Sequence, residues 1–119
     1  MKIKIKRIYQ EPEKTDGYRI LIDRIWPRGI SKAKAQLDKW FKEIAPSNEL
    51  RKSFNHQPEL FERFQLDYLN EIENNLEKDN FLDLIKNNLT NSDVTLLYGA
   101  KDEKYNQAVV LKVWLEKNL

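Results

Sequence analysis

Two short apolar runs constrain this chain more than any other feature. Tyr18–Trp26 carries Ile20, Leu21, Ile22 and Ile25 with little polar alternation, and Val94–Tyr98 is apolar along nearly its whole length. Such runs, closed by Pro27-Arg28-Gly29 and by Gly99, read as strands buried on both faces. The residues between them carry helical patterns. A helical crossover of that length sets neighbouring strands parallel, with a right-handed connection. A parallel sheet covered by helices is therefore the expected core.

The remaining elements fit around it. Residues 2–9 alternate, with Ile3 and Ile5 on one face and Lys2, Lys4 and Lys6 on the other. That is the pattern of a half-exposed strand near an edge. Glu11 to Gly17 is a loop by composition. Ser31 can cap a helix whose apolar positions are Leu37, Trp40, Phe41 and Ile44, ending at Pro46. Ser47 can cap a short helix with Leu50 and Phe54, and Pro58 suits the first turn of a longer one carrying Phe61, Phe64, Tyr68, Ile72 and Leu76. Asp79 can cap a fourth helix, and Asp102 a final one that is apolar over most of its circumference, from Ala108 to Leu115. The expectation is an α/β fold: one small three-layer domain over residues 1–119. Its thin, mostly parallel sheet has about three strands, flanked by about five helices.

Composition removes whole classes of chemistry. The 119 residues include no cysteine, which excludes disulfides, thiolate zinc sites, iron–sulfur clusters and a cysteine nucleophile. His56 is the only histidine, and no acidic spacing announces a metal site, so neither a metal nor a cofactor is expected. The three glycines, 17, 29 and 99, form no phosphate loop, and no G-x-S-x-G is present. No apolar run is long enough to span a bilayer, and the alternating N-terminus does not resemble a signal peptide. The expected setting is the cytoplasm, without a membrane partner. Oligomeric state stays open.

Charge is distributed unevenly. Residues 1–34 hold ten Lys/Arg and four Asp/Glu, whereas residues 35–119 hold eleven and fifteen. Arg19, Arg24 and Arg28 crowd into ten positions of a chain that otherwise favours lysine, and an arginine there supplies a planar fork for an anion. In open parallel sheets, ligands bind beyond the carboxyl ends of the strands. One buried run ends in Asp23-Arg24-Ile25-Trp26-Pro27-Arg28-Gly29, and the other in Leu97-Tyr98-Gly99-Ala100-Lys101-Asp102. Parallel strands would bring both segments, with the start of the last helix, to one crevice suited to a phosphate, carboxylate or sulfur oxyanion.

Arg24, Arg28, Lys101 and Asn106 are the candidate ligand-binding residues, with Trp26 as a wall against water. His56, in a turn between two helices, is the candidate general acid or base, with Tyr98 and Asp102 orienting a substrate. Most have a plainer account: Asp102 as a cap, Trp26 as core, Lys101 as a surface cation, Arg28 paired with an acidic helix, Tyr98 bonded to a loop, His56 as a helix cap or packed on an aromatic. The basic first third, with Tyr9 and Trp26 near its lysines, also admits a nucleic-acid or protein binding module without catalysis.

The run Asp23-Arg-Ile-Trp-Pro-Arg-Gly29, with Ile44-Ala-Pro-Ser47, His56-x-Pro58, Val94–Tyr98, Lys101-Asp102 and Asn106-x-Ala-Val-Val-Leu111, resembles the YeaO-like branch of a bacterial family known as domain of unknown function 488. The resemblance covers essentially the whole chain. It implies a small cytoplasmic α/β protein whose biochemical activity is not established. The wider family typically has a cysteine after the third strand and a Cys-His-Arg cluster in the following helix. Here Tyr98 stands at the first position and Asn106-Gln107-Ala108 at the cluster, so the resemblance implies that thiol chemistry is absent. The signature positions it carries over are Arg24, Trp26, Pro27, Arg28, His56, Pro58, Lys101, Asp102 and Asn106.

Overall fold

Four parallel strands form the sheet in the computed structural model, which describes all residues 1–119. They are β1 (Ile3–Arg7), β2 (Tyr18–Leu21), β3 (Lys39–Trp40) and β4 (Val94–Tyr98), in the order β1-β4-β2-β3. β4, the third strand expected from sequence, is central: Val94 lies opposite Ile3 on one side and Tyr18 on the other. Being flanked by strands on both edges and covered on both faces, it has no exposed residue and no need of polar alternation. β1 takes the edge that its lysine alternation anticipated.

Five helices complete the chain: α1 (Lys32–Ala35), α2 (Asn48–Phe54), α3 (Phe61–Glu73), α4 (Lys78–Leu89) and α5 (Gln107–Asn118). One sheet face, formed by Ile3, Ile20, Ile22, Val94, Leu96 and Tyr98, packs into the main core under α2 to α5. Aromatic residues fill the space between α2 and α3, with the Phe54 and Phe64 rings stacked at 4.5 Å. The other face carries a smaller core, Ile8, Leu21, Ala35 and Leu97, closed by α1 and by loops bearing Trp26, Ile30, Leu37 and Trp40. The second covering layer is thus one helical turn plus loops.

The expected helix from Ser31 to Pro46 is corrected by the structure. Ser31 does cap a helix, its hydroxyl accepting the Lys34 N–H at 3.1 Å. That helix ends at Ala35, because Gln36 adopts a left-handed conformation with φ 46°. The chain then runs beside β2: Asp38 N–H donates to the Arg19 carbonyl at 2.8 Å, and Phe41 N–H to that of Leu21 at 2.9 Å. The apolar spacing of Leu37, Trp40 and Phe41 serves this short strand, which raises the strand count to four. β2 is also shorter than the apolar run, leaving Ile25 57 % exposed. Leu76, expected on the third helical stripe, lies beyond α3 and is 99 % exposed. The cap of α4 is Glu77 rather than Asp79, and that of α5 is Asn106 rather than Asp102.

Near the amino ends of the strands, a charged network crosses the second face. Arg19 donates to Asp16 at 2.6 Å and to the Ala35 and Gln36 carbonyls, Lys6 reaches Asp16 at 3.1 Å, and the Thr95 hydroxyl donates to the Asp16 carbonyl at 2.7 Å. Burial opposes the charge on Asp16, but the Glu13 N–H, Lys6 and Arg19 together outweigh it and hold the carboxyl below its ordinary range. Arg19 is therefore consumed structurally, at the end of the sheet away from the strand tips. No helix is long and apolar enough to cross a membrane.

Candidate functional site at the carboxyl edge of the sheet

Because every strand is parallel, all four carboxyl ends open on one edge. The tips of β2 and β4 are neighbours, with Leu21 opposite Leu97. Asp23 joins them. Its Oδ2 accepts the Gly99 N–H at 2.9 Å, Oδ1 accepts the side-chain amide of Gln107 at the start of α5, and its carbonyl accepts the Trp40 indole N–H at 2.7 Å. A Cβ on Gly99 would lie 2.8 Å from Asp23 Oδ2 and 3.7 Å from Pro27, so glycine permits this close approach. Burial pushes the Asp23 carboxyl up to about 6, against the Gly99 N–H, the charge of Arg51 and the Gln107 amide.

The two arginines of the signature have different fates. Arg24 turns inward and donates from Nε to the Pro46 carbonyl at 2.9 Å and from Nη2 to that of Ala45 at 2.8 Å. It clamps the β2 tip to the entry of α2. Arg28 is exposed, and its carbonyl is held by the Tyr9 hydroxyl at 2.8 Å. Arg7, the last residue of β1, lies 4.9 Å over the Tyr9 ring and donates to the Ala100 carbonyl at 2.8 Å. Lys101 follows on the surface. None of Arg7, Arg28 and Lys101 is in a salt bridge. Three cations without carboxylate partners therefore stand at the end of β1 and on the loops leaving β2 and β4.

The other expected residues are placed as follows. Trp26 belongs to the smaller core, edge-on to Trp40 at 5.3 Å and hydrogen-bonded to the Ile30 carbonyl at 2.7 Å. Tyr98 is buried; burial, then the charge of Glu103, raises its phenol above the ordinary range. Asp102 Oδ1 accepts the N–H groups of Lys104 and Tyr105 at 2.8 and 3.0 Å, shaping the turn before α5. Asn106 caps α5 through Val109 N–H at 3.1 Å and donates to the Asp102 carbonyl at 2.8 Å. His56 is exposed in the turn after α2, with φ 55° and its ring 6.4 Å from that of Phe54. No hydrogen bond links it to Tyr98, Asp102 or the arginines. Lys101, Asp102 and Asn106 thus follow Tyr98 between β4 and α5, Arg28 lies on the loop after β2, and His56 stands on a separate turn.

Asp23 stands in the expected crevice without an expected role, and Arg7, Arg51 and Gln107 are not among the expected site residues. The partners of Asp23 lie 76 and 84 positions away, so no local spacing marks them. Two hollows lie elsewhere. One of about 500 Å³ is at the amino ends, lined by Pro12, Glu13, Lys14, Gly17, Gln36 and Asp38 among others; one of about 240 Å³ lies between α2 and α3. The tip region offers cations and backbone donors on an open edge.

Fold and edge together define a small parallel α/β protein with Arg7, Arg28 and Lys101, none of them in a salt bridge, at or just beyond three of its strand tips. The sequence model described as "Inactive DUF488-N3 subclade" matches residues 2–119, and the chain belongs to that family. It is 45% identical over 116 residues, 97% of each chain, to the uncharacterized protein YeaO of Escherichia coli (strain K12). It is 42% identical over 71 residues, 60% of each chain, to the uncharacterized proteins Rv3073c of Mycobacterium tuberculosis and Mb3100c of Mycobacterium bovis. No solved structure matches.

Proposed function

We propose that this protein binds a small anionic ligand at the carboxyl edge of its sheet, with Arg28 and Lys101 as its charged contacts and Arg7 completing the rim. The observation that carries the reading is the presence of three cations, free of carboxylate partners, at a strand end and on loops that parallel pairing and the Asp23–Gly99 bond hold together. A cation of this kind keeps its charge available for an oxyanion, and an arginine offers two parallel N–H groups to it. The α5 N-terminus, capped by Asn106, opens on the same edge and adds a favourable field. Arg24 serves the site indirectly, by fixing the loop that carries Arg28.

The reading is binding without turnover. Tyr98 is buried and Asp102 is engaged in its turn, so a proton-transfer role for either would require the loop to rearrange. The family's description as inactive points the same way. The test is thermal unfolding with millimolar sulfate, phosphate and citrate, for the wild type and the double variant Arg28→Ala, Lys101→Ala. An anion that raises the wild-type midpoint by several degrees and the variant's by none supports the site. Equal shifts in both proteins contradict it.

A further inference from the structure

Asp23 is a partly buried acid on this edge, and its bonds cross three elements. It holds the amide of Gly99 beyond β4 and the side chain of Gln107 on α5, while its own carbonyl anchors Trp40 of β3. The loop it begins ends in Arg28, and the segment it grips leads within two residues to Lys101. Asp23 therefore sits at the root of the two loops that carry the proposed anion rim.

The groups facing Asp23 can be named element by element. Arg51 approaches from α2 and carries its charge at every physiological pH. The Tyr68 phenol, on α3, is within its electrostatic reach, stays protonated, and donates to the Ile44 carbonyl at 2.7 Å. From α5 comes Gln107, which is uncharged. Lys101, Asp102 and Glu103 lie further along the loop after β4, and Arg24, next to Asp23 in the chain, turns away toward the Ala45 and Pro46 carbonyls. Among these, Asp23 is the group that burial moves into the neutral range, at about 6.

We infer that Asp23 is a proton-operated gate on this anion site: the ionised carboxylate opposes an incoming anion, and protonation of Asp23 accompanies its uptake. The inference rests on the anion-binding reading above and adds its regulation. Gln107 makes the change sterically easy. Its amide donates to the carboxylate, and after a half-turn about its last torsion its oxygen accepts from the protonated acid, so the bridge between β2 and α5 survives in both states. What changes is charge. With Asp23 ionised, Arg51 is balanced; with Asp23 neutral, the site behind Arg28 and Lys101 gains one positive charge.

Sulfate is the suitable probe, because it stays doubly charged between pH 5 and 8 and brings no titration of its own. Calorimetric titration at pH 5.0 and 7.5, in two buffers of different ionisation enthalpy, reads affinity and proton uptake together. The expected result for the wild type is affinity about fivefold or more higher at pH 5.0, the size of one unit charge acting across a loop's width near a protein surface, with net proton uptake between those limits. Asp23→Asn is expected to bind equally at both pH values, with the wild type's low-pH affinity and no proton uptake. Equal wild-type affinities at the two pH values overturn the gate while leaving the anion site standing. A pH step that persists in Asp23→Asn but vanishes in His56→Gln assigns the proton to the histidine and also overturns it. Absence of sulfate binding at either pH overturns the anion-binding reading itself, and the gate with it.

Discussion

The carboxylate of Asp23 accepts the backbone N–H of Gly99 at 2.9 Å, tying the tip of β2 to the tip of β4 across 76 residues of chain. Parallel pairing aligns the two strands, but this bond fixes the loops beyond them, where Arg28 and Lys101 sit. The glycine lets the carboxylate come so close, and Gln107 extends the tie to α5.

That tie has a measurable cost at neutral pH. Burial raises the Asp23 carboxyl from 3.8 to about 6, so the folded state binds this proton more tightly than the unfolded chain. Its contribution to stability is complete below about 3.8 and is lost as pH rises through about 6. Asp23→Asn is nearly isosteric and carries no charge to bury. The difference between variant and wild type in denaturant unfolding is expected to be small near pH 4. It should grow to about 2–3 kcal/mol in the variant's favour above about pH 6.5. A constant difference across that range would contradict the assignment.

Arg24 is expected to behave as a structural clamp. Arg24→Ala removes two charge-assisted bonds to the Ala45 and Pro46 carbonyls and should lower stability by about 2–3 kcal/mol in denaturant unfolding. Arg24→Lys should recover less than half, since one ammonium does not reproduce the planar fork. Full recovery by lysine would mean that charge alone matters there.

Gly17 stands where the chain turns into β2. Its φ is 66°, and a Cβ would collide with the Asp93 carbonyl oxygen, the group that accepts the Tyr18 N–H at 2.9 Å. Gly17→Ala is therefore expected to cost at least about 2 kcal/mol, whereas Gly29→Ala, at φ 81° with open space around it, should cost about 1 kcal/mol from backbone strain alone. Comparable losses in the two variants would contradict the crowding at Asp93.

The fold was legible where burial dominates. Ile20–Ile22 and Val94–Tyr98 have no polar alternation because both faces are covered, and the helical stretch between them forces their parallel pairing. Residues 31–45 were not legible, because the positions that suit a helix stripe also suit a two-residue strand. What decides is the left-handed Gln36 and the ladder to Arg19 and Leu21, which no local pattern contains. At the candidate site, the strand-tip segments were readable as neighbours. The inward turn of Arg24 was not, because its acceptors are backbone carbonyls, which leave no mark in side-chain chemistry. Asp23 escaped for a related reason: a single acid at a strand end looks like any solvated residue until its distant partners are in place.

The most direct test of the central claim is a residue-resolved amide NMR titration of the full chain with sulfate at pH 5.0. Saturable shifts confined to the segments around Arg7 to Tyr9, Pro27 to Gly29 and Gly99 to Lys101 are the predicted result. Saturable shifts concentrated instead at Glu13 to Gly17 and Gln36 to Asp38, around the hollow at the opposite end of the sheet, would contradict it.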